Sequence, residues 1–194
     1  MQRLDLVVGP NGAGKTTFVR KTLMPVLPPG AVFVNADEIA RRRWPEDPEG
    51  NSYEAAKVAE ATRAALIEVG QPFIAETVFS HPSKLELIDT AHAAVYTVFL
   101  HVLLVPEDLS VARVAYRVAA GGHSVPEEKI RQRHRRLWRL VAVAMARADA
   151  ATVYDNASNE GPRIAAQVAG GVAVGVASWP PWVPAELVAT WPSS

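Results

Sequence analysis

The sequence contains no cysteine, which excludes disulfide bonds, thiolate metal sites and catalysis by a thiol nucleophile. No apolar run reaches the roughly 18 residues of a membrane-spanning helix, so we predict no transmembrane segment. Because the chain starts directly on an apolar strand, we also expect no signal peptide, and a cytoplasmic location fits best. The 20 basic and 20 acidic residues cancel, which leaves no overall electrostatic drive toward nucleic acid.

The chain does have the length and apolar content needed for a core, with 194 residues of which 49% are hydrophobic. One domain is the expectation for this length. We predict that residues 1–160 form the core. Residues 161–194 would add a hairpin and a tail rich in proline and tryptophan to the same domain.

One short motif indicates the ligand class. Residues 9–17 match the full phosphate-binding loop pattern, G-x-x-x-x-G-K-[ST]. Its glycines let successive backbone N–H groups turn toward phosphate oxygens. Lys15 would reach the outer phosphates, and the hydroxyl of Thr16 would complete the shell of a Mg²⁺ ion. The residues predicted to contact a nucleotide are Gly9, Pro10, Asn11, Gly12, Ala13, Gly14, Lys15, Thr16 and Thr17.

Short apolar runs alternate with helical patterns up to residue 160. Strands are predicted at 4–8, 31–34, 72–77, 96–105 and 152–154, and helices at 17–27, 53–69, 80 or 83 to 94, 107–119 and 126–149. This alternation predicts an α/β P-loop fold, in which helices cover both faces of a parallel sheet of about five strands. Apolar segments on either side of Gly170-Gly171 predict a C-terminal hairpin, and the last fifteen residues are expected to be irregular surface structure.

Polar side chains follow three of the predicted strands, at the sheet edge where ligands of such folds bind. Asp37 could hold Mg²⁺, accept the proton of an attacking hydroxyl, or simply cap the helix that follows. Glu76 and Thr77 could contact an acceptor; Glu76 could also lie near the metal or be a solvated strand end. Asp155 and Asn156 could contact a nucleotide base or cap the rim of the site, although a purely structural role is the simpler expectation.

Arginines surround the pair Gly121-Gly122, which could act as a hinge. Arg117, Arg133 and Arg136 could form a lid near residues 113–136 and meet the charge of a transferring phosphoryl group. Positions 133 and 136 share a helix face, so we assign the neighbouring Arg135 and Arg139 to the solvated side.

Other interpretations of this basic region remain open. The arginines could form a solvated helix face, and His123 could contact an acceptor or be a polar turn residue. A basic strip for RNA is the third alternative. Few aromatic residues interleave with the arginines, which argues against nucleic acid as a partner.

Taken together, these segments resemble the zeta-toxin family of small P-loop kinases, especially its short chromosomal members, over residues 4–160. The segments that carry the resemblance are 9–17, 35–37, 76–84, 117–118, 121–130, 133–136 and 154–156. The resemblance implies a kinase that uses ATP and Mg²⁺, has an antitoxin as a protein partner, and phosphorylates a small-molecule hydroxyl. The better-known members phosphorylate UDP-N-acetylglucosamine. By this resemblance Asp37 is the general base, Glu76 contacts the acceptor and the lid arginines clamp the γ-phosphate.

Two other functions fit the same residues. The acceptor could be another small metabolite or an antibiotic. The protein could instead be a regulator that binds a nucleotide and hydrolyses it slowly. The guanine-reading motif N-K-x-D is absent, which argues against a GTPase.

Overall fold

In the computed structural model, which describes residues 2–27, 30–120 and 125–193, seven strands form one sheet. They are β1 (Arg3–Val8), β2 (Val32–Val34), β3 (Phe73–Thr77), β4 (Thr97–Leu104), β5 (Ala150–Asp155), β6 (Arg163–Ala169) and β7 (Val172–Ala173). Their order is β2-β3-β1-β4-β5-β6-β7. The first five strands are parallel, whereas β6 and β7 are antiparallel additions at one edge. The predicted five-stranded parallel sheet with a C-terminal hairpin is confirmed.

Helices fill the connections between the parallel strands, and one more helix follows the last strand. They are α1 (Lys15–Phe18), α2 (Ala36–Arg43), α3 (Ser52–Glu68), α4 (Ser83–Ala93), α5 (Glu107–Ala119), α6 (Glu127–Arg147) and α7 (Ala185–Thr190). A π-helical turn, Val19–Leu23, extends α1 and ends before Pro25, so the helix predicted to reach residue 27 stops earlier. Neither Ser80 nor Ser83 caps α4, whose first residue follows Pro82. Within the described ranges, no helix is long and apolar enough to cross a bilayer.

The alternation of β1 distributes its side chains between the two faces of the sheet. Leu4, Leu6 and Val8 belong to the larger core cluster, which α3, α4, α6 and α7 cover. Val7 belongs to a smaller cluster with Phe18, which lies on α1. Because this strand is buried on both faces, its C-terminal end and the loop that follows are held in a fixed position.

The C-terminal tail is not the irregular surface segment that its composition predicted. It contains the short helix α7, on which Leu187 is fully buried in the larger core cluster. Trp191 is buried in the same cluster, and the indole N–H of Trp179 donates to the carbonyl of Trp191 at 2.8 Å. Tryptophan burial therefore makes the tail part of the core.

Candidate active site

The phosphate-binding loop connects the end of β1 to the start of α1. Gly9, Gly12 and Gly14 all have positive φ, at 153°, 75° and 81°. A Cβ at Gly9 would lie 2.6 Å from the carbonyl oxygen of Leu103, and one at Gly12 would lie 2.7 Å from that of Ser110. The loop therefore depends on glycine for its backbone conformation and for its close packing against neighbouring backbone.

The side chain of Lys15 lies over this loop and is buried. Its ammonium donates to the carbonyls of Gly9 at 3.0 Å and Pro10 at 2.9 Å. Burial lowers the pKa of Lys15, although the nearby carboxylates of Glu76 and Asp37 act in the opposite direction. Arg117 on α5, which was also predicted to belong to the site, is close enough that its positive charge lowers the pKa of Lys15 further.

Glu76 connects the loop to the neighbouring strand. Its Oε2 accepts hydrogen bonds from the hydroxyl of Thr16 at 2.8 Å and from the amide of Asn35 at 2.7 Å. The parallel register of β1 and β3, with Val7 opposite Glu76, brings this carboxylate to the loop. Burial raises the pKa of Glu76, although Lys15 and the hydrogen bond from Thr16 oppose that shift. A deprotonated Glu76 is thus held in place at an energetic cost.

Asn35, to which no role was assigned from the sequence beyond membership of the segment 35–37, occupies the centre of this arrangement. Its side-chain oxygen accepts from the backbone N–H groups of Asp37 at 2.8 Å and Glu38 at 3.2 Å, so Asn35 is the N-cap of α2. Asp37 is therefore not the cap; it lies in the first turn with an exposed side chain. The pattern of asparagine at a strand end, followed by acidic residues two and three positions later, could have indicated this cap.

Hydrogen bonds from α5 and the end of β5 support the other side of the loop. The hydroxyl of Ser110 donates to the carbonyl of Asn11. The amide of Asn156 donates to the carbonyl of Ala13 at 2.7 Å, and Arg113 donates to the carbonyl of Asn156 at 2.9 Å. These contacts favour the rim-capping interpretation of Asn156. Ser110 and Arg113 were not among the site residues predicted from the sequence. Their spacing of about one helical turn, which places them on one face of α5, is the sequence signal that could have identified both residues.

Thr77 lies beside Glu76 at the end of β3, and its hydroxyl accepts from the backbone N–H of Phe79 at 3.3 Å. Phe79 is buried and has a φ of 63°, which is unfavourable for a bulky residue. Such strain persists only where the surrounding structure fixes the backbone, so the turn after Glu76 has a defined shape.

The arginines of α6 separate into two flanks of a buried stripe that includes His134 and Leu137. Arg131 and Arg135 lie on one flank and pair with Glu107 at 3.0 and 3.2 Å. Arg133 and Arg136 lie on the other flank, because successive helical positions differ by about 100°.

The structure brings together only part of the predicted site, which comprised catalytic, acceptor and metal residues. Lys15, Thr16, Asp37, Glu76 and Arg117 are neighbours. Across ranges 2–27, 30–120 and 125–193, no hydrogen bond or ion pair joins Arg133 or Arg136 to this group. The predicted hinge and His123 fall in positions 121–124, outside the described residues.

The oxygen atoms around Thr16 suit a magnesium nucleotide. Among the described residues, no group of three or more histidine, cysteine, aspartate or glutamate side chains could hold a metal ion alone. Mg²⁺ characteristically takes one or two carboxylates, and substrate phosphates complete its shell. A hydroxyl on Thr16 and a carboxylate on Glu76, 2.8 Å apart beside a phosphate-binding loop, meet that requirement.

Comparisons with known proteins show which folds this chain resembles. The fold is similar to that of the AvrRxo1-ORF1:-ORF2 complex solved with ATP, with a TM-score of 0.70, 16% identity and coverage of 90% of this chain. It is also similar to the PezAT chromosomal toxin-antitoxin system of Streptococcus pneumoniae, with a TM-score of 0.61, 16% identity and 80% coverage. Shikimate kinase from Acinetobacter baumannii, in complex with shikimate, matches with a TM-score of 0.51, 20% identity and 74% coverage.

These identities establish a shared fold only. The chain spans 60% of the length of the AvrRxo1 chain, 68% of the PezAT chain and 80% of the shikimate kinase chain. No curated protein matches the sequence. A family model described as an AAA domain matches residues 4–140, which include the phosphate-binding loop, Glu76 and most of α6. The chain therefore belongs to this AAA domain family.

Proposed function

We propose that the protein is an ATP-dependent kinase that transfers the γ-phosphate to a hydroxyl group of a small molecule. The observation that carries the proposal is the shared carboxylate of Glu76, which accepts from both Thr16 and Asn35. Through Asn35, the phosphate-binding loop is connected to the helix that carries Asp37. In this proposal, these hydrogen bonds link the nucleotide site to the acceptor site.

The geometry favours separate roles for the two carboxylates. Glu76 is bound to the hydroxyl of the loop, so we assign it, with Thr16, to the Mg²⁺ ion rather than to the acceptor. The bound metal would neutralise negative charge on the phosphates. Asp37 is exposed and near Lys15, which leaves its carboxylate available to an acceptor.

The proposed reaction is a single in-line transfer. Asp37 accepts the proton of the acceptor hydroxyl, the hydroxyl oxygen forms a bond to the γ-phosphorus, and the bond from that phosphorus to the β–γ bridging oxygen breaks to release ADP. Lys15 and Arg117 supply positive charge where negative charge accumulates. Arg133, Arg136, Thr77 and His123 remain candidates for the lid and the acceptor contacts.

The proposed identity of the acceptor rests on the resemblance to the zeta-toxin family. The zeta-toxin pattern favours UDP-N-acetylglucosamine and a protein antitoxin, and the match to the PezAT toxin-antitoxin system supports the same direction. Another metabolite or an antibiotic is the alternative acceptor. We place the activity in the cytoplasm, where ATP and nucleotide sugars are available.

The proposal is tested by incubating the protein with ATP, Mg²⁺ and a panel of hydroxyl compounds that includes UDP-N-acetylglucosamine, shikimate and aminoglycosides. Mass spectrometry then detects gain of a phosphoryl group. We expect one compound to gain phosphate in proportion to the ADP formed, and the Asp37→Asn variant to form none. Release of inorganic phosphate at the same rate with and without every acceptor would instead indicate a slow regulatory ATPase.

A further inference from the structure

β2, which lies at one edge of the sheet, borders a groove that the proposed reaction does not use. The groove has a volume of about 230 Å³ and is lined by Val32, Phe33 and Val34 of β2, with Ile39 of α2 and Val58 of α3. Pockets for whole small ligands usually exceed roughly 300 Å³, so this one suits one or two apolar side chains.

The backbone of β2 has hydrogen-bonding groups on the side away from the sheet. The N–H of Val32 donates to the carbonyl of Pro72 at 3.3 Å, so Val32 faces β3. Consecutive residues of a strand direct their N–H and C=O groups to opposite sides, and those of Phe33 therefore face the outer edge. In the part of the chain that the structure describes, no further strand pairs with that edge.

The rim of the groove is positively charged. Arg42 and Arg43 line it, and both are exposed and make no ion pair within the described ranges. Two acids on the same helices are paired elsewhere, Glu38 with Arg20 and Glu54 with Lys57. Cations in the last turn of α2 interact favourably with the negative end of the helix dipole. That interaction does not explain why two of them border an apolar groove.

From these features we infer that the groove binds an extended acidic segment of a partner protein. The segment would add a strand to β2 through the backbone of Phe33, insert an apolar side chain into the groove, and direct acidic side chains to Arg42 and Arg43. A second copy of this chain is disfavoured as the occupant, because pairing of two β2 edges would bring like charges together.

The test uses the full chain and a fluorescein-labelled heptapeptide that alternates glutamate and valine, with binding measured by fluorescence anisotropy. We expect saturable binding that weakens at least about tenfold in the double variant Arg42→Glu/Arg43→Glu, since two attractive contacts become repulsive. Thr62→Trp, which fills the groove, should weaken binding by a similar factor. Arg139→Glu, at an exposed arginine on α6, should change it by less than about twofold.

Three outcomes would overturn the inference. The first is no saturable binding below about 1 mM. The second is equal binding of a peptide of the same composition in which the glutamates and valines form separate blocks, which would indicate charge attraction alone. The third is that the unaltered protein does not bind the peptide while the double variant Arg42→Ala/Arg43→Ala self-associates. This result would show that the arginines prevent pairing between the β2 edges of two copies.

Discussion

Replacing Asn35 separates two tasks that this side chain performs together. Asn35→Ala removes the N-cap of α2, which typically contributes about 1 kcal/mol. The same change removes the amide that donates to Glu76 at 2.7 Å, and a hydrogen bond to a charged group contributes about 1.5–3 kcal/mol. We therefore expect Asn35→Ala to lower the free energy of unfolding by about 2.5–4 kcal/mol.

Asn35→Ser is the matched control, because serine is an equally good N-cap but lacks the amide donor. We expect it to lose less stability than the alanine variant by about the value of the cap, roughly 1 kcal/mol. Both variants should bind a fluorescent ATP analogue with weakened Mg²⁺ dependence, since both leave Glu76 poorly positioned. Urea unfolding measures the first quantity, and nucleotide titrations at several Mg²⁺ concentrations measure the second.

Asn35→Asp adds a test of the charge on Glu76. The new carboxylate keeps the cap but raises the pKa of Glu76 beyond its already raised value, because like charges disfavour ionisation. Mg²⁺-dependent nucleotide binding requires ionised Glu76, so on lowering the pH it should be lost at a higher pH than in the unaltered protein. If all three variants match the unaltered protein in stability, Mg²⁺ dependence and pH profile, Asn35 does not connect the two sides of the site.

The remaining predictions concern charged residues in and around the site. Lys15→Ala should keep the fold but reduce turnover by about 10²-fold or more, on the order of 3 kcal/mol, and a folded variant with unaltered turnover would refute the role. Because folding raises the pKa of Glu76, the contribution of this one group to stability is lost as the pH rises above the ordinary glutamate value of 4.5. Glu76→Gln should therefore stabilise the protein more at neutral pH than in acid, and a melting temperature difference that does not vary with pH would contradict this. Replacing Arg133 or Arg136 with alanine should lower kcat more than it weakens ATP binding. Arg135→Ala is the control and should leave kcat nearly unchanged. If Arg135→Ala lowers kcat as much as the other two variants do, the arginines form a basic binding strip instead.

The fold could be predicted from the sequence because its determinants are local. The phosphate-binding loop is a contiguous motif, and the alternation of apolar runs with helical patterns indicates a parallel sheet. The same local patterns placed Asp37 and Glu76 at the ends of neighbouring strands. Even α5, predicted over 107–119, has those bounds in the structure.

The contacts that organise the site could not be predicted, because they join distant positions. Thr16 and Glu76 are separated by 60 positions, and Asn35 and Glu76 by 41. The registers of β3 with β1 and with β2 bring them together. The prediction of an irregular surface tail was wrong for a related reason, because the burial of Trp191 depends on a core formed by helices far away in the sequence.

The fate of the γ-phosphate is the most direct test of the central claim. The protein would be incubated with Mg²⁺, γ-labelled ATP and the small-molecule fraction of a cell extract, beside the Asp37→Asn and Lys15→Ala variants. We predict that the unaltered protein moves the label into an acid-stable phosphate ester, while Asp37→Asn still binds ATP but forms no ester. Label that appears only as inorganic phosphate, or an ester that Asp37→Asn forms at the unaltered rate, would contradict the proposed phosphotransfer.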